Sequence, residues 1–409
     1  MNENKKTILY IGGFELPDKN AAAQRVVAVG KLLRLLGYRV VFIGIDRTLP
    51  GNSNIESTKR EYFGFEAWAV PYPKSTIDWM KQITSIKDVS LLIDKYFKNN
   101  VFAIICYNYP AVALAKMRNL CRRNDYLFIP DATEWHGHIG GGLLFNVIKW
   151  LDTTLRMRLI HPTADGIIAT SKYLEKYYQR KNCKTVKLPT LFDAELLEAA
   201  PQSAQKKEKN VKYIMYAGNA FDARRVDRKR KNIKDRLDLI IELIGKVISE
   251  NQNVRLDIYG LTKENYLGVY HEHTQLLEQL KDVISFLGRK PHDEIIAEIK
   301  RHDFTIFLRE SDRVTEAGFP SKYSESISCG TPVITNMLSN ISDYMIEGTH
   351  GYFIDLHDQE KQLVQMINIL SINDQALDAV KKRCMQSKTF DYRYFIQPVR
   401  HFIETLGVK

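Results

Sequence analysis

No run of about eighteen apolar residues occurs in the 409-residue chain, so no segment reads as a membrane-spanning helix. Cysteine is scarce and scattered. Cys106, Cys121, Cys183, Cys329 and Cys384 have neither close pairing nor metal-ligand spacing. That excludes a disulfide framework or a zinc site and fits a reducing compartment. Zinc-finger spacing, the aromatic–basic pattern of an RNA-binding sheet and low-complexity tracts are also missing. The net charge of +11 is therefore read as a match to phosphorylated ligands or an anionic membrane, with no nucleic acid partner. The basic-then-apolar start is interrupted early by Glu15 and Asp18, so it reads as a buried strand and not as a signal peptide.

What is present is an alternation. TILYIG, RVVFIGI, VFAIICY, YLFIP, GIIAT and KTVKL in the first half, and YIMYAG, VRLDIYG, VISFLG, FTIFL and PVIT in the second, are β-rich runs separated by helical periodicity. Such strands predict parallel sheets covered on both faces, and the length predicts two cores. Val26, Val29, Leu33 and Leu36 share a face of a helix that Asn20 caps and Gly37 ends. Leu237, Ile241, Ile244 and Ile248 repeat the pattern. The expected architecture is α/β, with two doubly wound Rossmann-like domains, 1–195 and 211–390, facing a central cleft. A polar, lysine-rich linker fills 196–210. Residues 391–409 form a closing helix with Phe395, Val399, Phe402 and Leu406 on one face, and packing back on the N-terminal domain is one option for it.

The densest chemistry lies in EAGFPSKYSESISCGTPVITN, from Glu316 to Asn336. Pro320 fixes the chain before Ser321, read as the N-cap of a helix. The helix start is an anion site to which Lys322 adds a full charge. Glu325, four residues after Ser321, falls on the same face. Phosphates on the helix end and ribose hydroxyls on the carboxylate would suit a nucleotide. A solvated helix would give the same pattern, and the residues alone leave both readings open.

This stretch is followed by GYFID and preceded, in order, by YIMYAGN, KDRLDLIIELI, VRLDIYG and VISFLGRKPHDEIIAEI. Together, residues 211–356 resemble the nucleotide-binding half of the retaining glycosyltransferases of family 4 (glycosyl transferases group 1), which have the GT-B fold. The resemblance implies donor contacts from Gly218 and Asn219, from Gly318, Phe319, Ser321, Lys322 and Tyr323, and from Glu325 on the ribose. It places Arg289 beside the base or ribose. It implies an Arg/Lys pair on the diphosphate, with Lys234 as the lysine and Arg228 or Arg230 as the arginine. One departure stands out: the residue eight before Glu325 is Ala317, and Glu316 comes one place early. A sugar contact by Glu316 and a plain loop role both stay open, with the backbone amides of AGFPSK as a substitute.

The opening YIGGFELPDKN and its following helix are similar to the family's first strand, glycine loop and helix. Gly12 and Gly13 would allow close approach on the acceptor side. Arg25 is placed to meet an anionic acceptor or to pair with a carboxylate. In IPDATEWHGHIGGG, Asp131, Glu134, His136 and His138 follow a strand, where active sites collect. Glu134 and His136 are candidates for donor or acceptor contacts, and no third ligand supports a metal site. LLFNVIKWLDTTLRMRLIHP is amphipathic, read first as a core-facing helix and second as one lying on an anionic membrane.

The function this implies is a cytoplasmic, metal-independent, retaining hexosyltransferase without a cofactor. Its donor would be a UDP- or GDP-linked sugar. Its acceptor would be a glycan or lipid-linked chain of a bacterial capsule or envelope polysaccharide, with a peripheral place on the inner face of the plasma membrane as an option. The resemblance implies front-face attack, in which the leaving phosphate takes the acceptor proton. A sugar-nucleotide epimerase on the same fold and an inactive glycosyltransferase-like subunit are the alternatives.

Overall fold

The computed structural model describes residues 6–407 apart from 136, 138–141, 200–207, 222–225, 227–229 and 231–232. Within them the N-terminal sheet comprises β1 (Thr7–Gly12), β2 (Arg39–Asp46), β3 (Arg60–Tyr62), β4 (Phe65–Pro71), β5 (Val101–Tyr107), β6 (Leu127–Ala132), β7 (Ile167–Ala169) and β8 (Thr185–Lys187). Their order is β3-β4-β2-β1-β5-β6-β7-β8, parallel except for β3. The second sheet comprises β9 (Lys212–Ala217), β10 (Val254–Tyr259), β11 (Ile284–Gly288), β12 (Phe304–Phe307), β13 (Val333–Thr335) and β14 (Gly351–Phe353). It is fully parallel in the order β11-β10-β9-β12-β13-β14. Strand order reverses between β1 and β5 in one sheet and between β9 and β12 in the other. Crevices outside the carboxyl ends of strands at such points are where open α/β sheets bind ligands.

The runs expected as strands are strands; the central ones are buried on both faces, as every residue of β1 and β6 is, while the edge strand β11 is largely open to solvent. The β3–β4 hairpin was not anticipated. Its turn residues Phe63 and Gly64 both have positive φ, at 55° and 71°. That turn geometry normally announces itself through Asn or Asp at the first position, and phenylalanine hides it. The first helix, Ala21–Leu35, begins at Asn20, whose Oδ1 accepts the Ala23 N–H at 2.8 Å, and the chain leaves it through Gly37 at φ +94°.

The helix Leu143–Leu155 departs from its first reading. Among its described side chains only Thr153 is buried, and Leu144, Phe145, Val147, Trp150, Leu151 and Leu155 are exposed. An amphipathic pattern states that one face is apolar, not which way that face points.

The chain returns at its end. Phe192 N–H donates to Phe390 O at 2.8 Å. The helix Ile396–Gly407 then lays Val399, Phe402, Ile403 and Leu406 on the N-terminal core. Gly166 makes room for it, since a Cβ there would overlap Phe402 and Leu406. Truncating Phe402, 5% exposed, removes a wedge between the closing helix and the sheet. We expect Phe402→Ala to destabilise the N-terminal domain by about 3–5 kcal/mol, read as a lowered first transition in thermal unfolding.

Candidate active site in the interdomain cleft

A cavity of about 260 Å³ lies between the domains, with Arg25, Glu134 and Thr170 on one wall and Asn219, Lys234 and Arg309 on the other. The domains meet at its edge. Ser171 Oγ donates to Ala317 O at 2.8 Å, and Thr190 Oγ1 to Phe319 O at 3.3 Å. Ala317 is fully buried in a cluster with Trp135 and Leu174. A glutamate at that position would have to enter this packed seam, which accounts for the departure at residue 317.

Asp235 organises the C-terminal wall. It is 1% exposed and accepts from Tyr216 Oη at 2.7 Å, Arg309 Nε at 2.5 Å and Lys322 Nζ at 2.7 Å. Burial alone would raise its carboxyl pKa, but Arg309 and then Lys322 overcome this and hold it far below the usual carboxylate range. Gly218 makes the Lys322 contact feasible, because its φ of +149° and lack of a Cβ let the lysine chain cross directly over it. Lys234, next to Asp235, is exposed to the cleft and has no partner among the described residues. Arg309 first, and desolvation second, lower its ammonium pKa. Glu134 acts on Lys234 from the opposite wall as a favourable charge.

The signature helix runs Ser321–Ser328, with Pro320 and not Ser321 at the N-cap position, and Ser321 opens its first turn. Gly318, Phe319, Ser321 and Lys322 line the cleft. Glu325 has no partner among the described residues; burial raises its pKa, against the opposing charges of His292 and Lys322. The Nε2 of His292 is buried without a hydrogen-bond partner. Neither residue is in the lining of the cleft cavity, but the two are near enough to interact electrostatically.

Other candidates are engaged with protein partners or lie outside the cleft lining. Arg25 does not face an acceptor: its guanidinium is 3% exposed and forks onto Asp131, with Nη2–Oδ1 at 2.8 Å and Nε–Oδ2 at 3.0 Å. It also donates to the carbonyls of Leu188 and Pro189 at 3.0 and 2.9 Å. Arg230 is bound to Glu272 and the Val269 carbonyl, where it lines an adjoining cavity of about 360 Å³ that Lys234 shares; its hydrogen bonds hold the Glu272 carboxyl down to about 2. Glu316 braces a loop, accepting from Ser311 Oγ at 2.9 Å and Ser339 N–H at 3.0 Å. Tyr323 is a core residue packed on Phe319 and Phe390. Arg289 is exposed just after β11, outside the cleft lining. Gly12 and Gly13 line a separate cavity of about 300 Å³ in the N-terminal domain, with Arg47, Tyr72, Gln82 and Asn108. His136 and Arg228 lie outside the described residues.

The sequence reading missed Asp235, Arg309 and His292. Arg309 was findable in principle, since it follows FTIFL at a strand's carboxyl end. No group of three His, Cys, Asp or Glu side chains suited to a metal occurs among the described residues.

Comparison with known proteins agrees with this geometry. The family model described as "Glycosyl transferases group 1" matches residues 203–385. A Salmonella typhimurium protein assigned as a colanic acid biosynthesis glycosyltransferase is 26% identical over 117 residues, a match that spans 28% of either chain. Sucrose-phosphate synthase from Thermosynechococcus elongatus superposes with a TM-score of 0.70 at 13% identity, covering 98% of this chain and 99% of its own. Anabaena HepE, in complex with UDP and glucose, superposes at 0.63 with 12% identity, covering 98% and 100%. The chain thus has the two-domain GT-B fold of these structures, and residues 203–385 of it match the glycosyl transferases group 1 model.

Proposed function

We propose that the protein is a retaining, metal-independent glycosyltransferase that moves a sugar from a nucleotide diphosphate donor to an acceptor held by the N-terminal domain. The observation that carries this reading is Lys234, an ammonium without a partner among the described residues, set beside Arg309 and Lys322 at the switch point of a parallel sheet. A nucleotide diphosphate gains charge as the glycosidic bond breaks. Fixed cations stabilise that charge by several kcal/mol in a partly desolvated site. Lys234 and Arg309 take this role, while the helix start at Ser321 supplies backbone amides. Glu325 and His292 take the ribose hydroxyls.

The acceptor hydroxyl attacks the anomeric carbon on the face the diphosphate leaves. The new C–O bond forms as the old one breaks, configuration is retained, and the departing phosphate oxygen takes the acceptor proton. Glu134, on the N-terminal wall, orients the acceptor or the donor sugar. UDP and glucose in the HepE structure support a UDP-sugar donor, and the colanic acid relative supports a polysaccharide acceptor; the reading adopted is that this acceptor is carried on a lipid at the cytoplasmic face. An inactive glycosyltransferase-like subunit is the second reading, favoured by the engagement of Glu316 with Ser311 and Ser339. Slow donor hydrolysis supports the transferase; tight diphosphate binding with no turnover supports the subunit.

Calorimetry in EDTA is expected to detect binding of UDP or GDP, and disappearance of that binding on chelation would overturn metal independence. Glu325→Ala should weaken nucleotide binding about ten-fold. Lys234→Ala should lower kcat about 100-fold or more with a smaller change in KM. Asp235→Asn leaves two cations without their anion and should cost about 3–5 kcal/mol. Because the folded pKa is depressed, this stabilisation is complete above the unfolded value of about 4 and declines as pH falls below it. The Tm gap between wild type and Asp235→Asn should therefore be constant from neutral pH down to that point and narrow below it. A gap that widens on acidification would contradict the assignment.

A further inference from the structure

The helix Leu143–Leu155 and the turn after it present Leu144, Val147, Leu151, Leu155 and Leu159 to solvent at helical spacing, with Leu144 74% and Leu159 60% exposed. Trp150 beside them is 50% exposed. A second helix, Thr76–Thr84, has no buried residue and adds Ile77 and Met80; its Trp79 ring lies 6.1 Å from that of Phe145. The helix Ala111–Arg123 packs against both. Lys116 Nζ donates to Thr84 O at 2.6 Å, and the Asp152 carboxylate accepts the Ala111 N–H at 2.7 Å. This third helix carries Lys116, Arg118, Arg122 and Arg123 and no acidic residue. None of the four pairs with a carboxylate among the described residues.

We propose that this three-helix face docks the protein on an anionic lipid bilayer, with the apolar stripe of Leu143–Leu155 at the acyl boundary and the Ala111–Arg123 cations against the headgroups. An apolar face bordered by unpaired cations is the pattern of an interfacial helix. A second copy would set like charges against each other across the contact, and no helix here is long and apolar enough to cross a membrane among the described residues. Gln82, on Thr76–Thr84, also lines the cavity of Gly12 and Gly13. The cavity therefore adjoins the helix Thr76–Thr84 of this face. The inference stands on surface composition and does not depend on the chemistry in the cleft.

The test is co-sedimentation of the full chain with vesicles of phosphatidylglycerol or of phosphatidylcholine. Binding to the anionic vesicles that weakens with added salt is expected. Leu144→Glu/Trp150→Glu should reduce it at least about ten-fold, and so should Lys116→Glu/Arg123→Glu. All four positions are at the surface, and unchanged thermal melting confirms that the variants fold. Failure of the wild type to bind, or equal binding by both variants, overturns the proposal. So does a wild-type dimer that Leu144→Glu/Trp150→Glu splits in sedimentation equilibrium without any vesicle binding, which would give the face to a second copy.

Discussion

The C-terminal wall of the cleft rests on one buried carboxylate. Asp235 gathers a tyrosine hydroxyl, a guanidinium and an ammonium from three different elements: β9, the end of β12 and the signature helix. Without it Arg309 and Lys322 would repel each other and be drawn to solvent. With it they stand close together, and the added Lys234 leaves the wall with an excess of positive charge. The arrangement also explains the glycine at 218, since any side chain there would stop Lys322 from reaching its partner. A single anion thus fixes where the cations are, and their positions decide what the cleft can hold.

The N-terminal domain repeats the device with a different purpose. Tyr10 donates to Asp131, and Arg25 forks onto the same carboxylate while holding the carbonyls that follow β8. Here the charges cancel and nothing is left over for a ligand. This ion pair binds the first helix, β6 and the exit from β8 into one block, so that Glu134, three residues past Asp131, leaves a fixed strand end toward the cleft. A tyrosine–aspartate–arginine set builds both walls; only the C-terminal one carries surplus cations.

How much of this could be read in the sequence depended on the range of the interaction. Strands announced themselves because burial on both faces makes them continuously apolar, and the Asn20 cap because its partner is three residues away. The helix at Ser321 was legible to within one residue, as Pro320 fixes the turn and takes the cap position itself. Arg25 was not legible: its carboxylate lies 106 positions downstream, and an arginine on a helix looks the same whether it awaits a ligand or is already paired. The pairing of Arg230 with Glu272, 42 positions downstream, was hidden for the same reason. Asp235 was invisible beside the more conspicuous Lys234, since its importance lies in whom it touches. The outward roll of Leu143–Leu155 could not be read from periodicity, which fixes a stripe but not its direction.

The closing helix has a consequence for how the molecule is made. Its residues Val399, Phe402, Ile403 and Leu406 complete the N-terminal core, yet they are made only after the whole intervening domain. At roughly 5–20 residues per second, the intervening domain takes on the order of ten seconds or more to be synthesised. During that interval the N-terminal sheet is made but its face around Gly166 is uncovered. The C-terminal domain, needing nothing from the tail of the chain for its own sheet, is free to fold first. The N-terminal core is thus completed only once the other domain has been made.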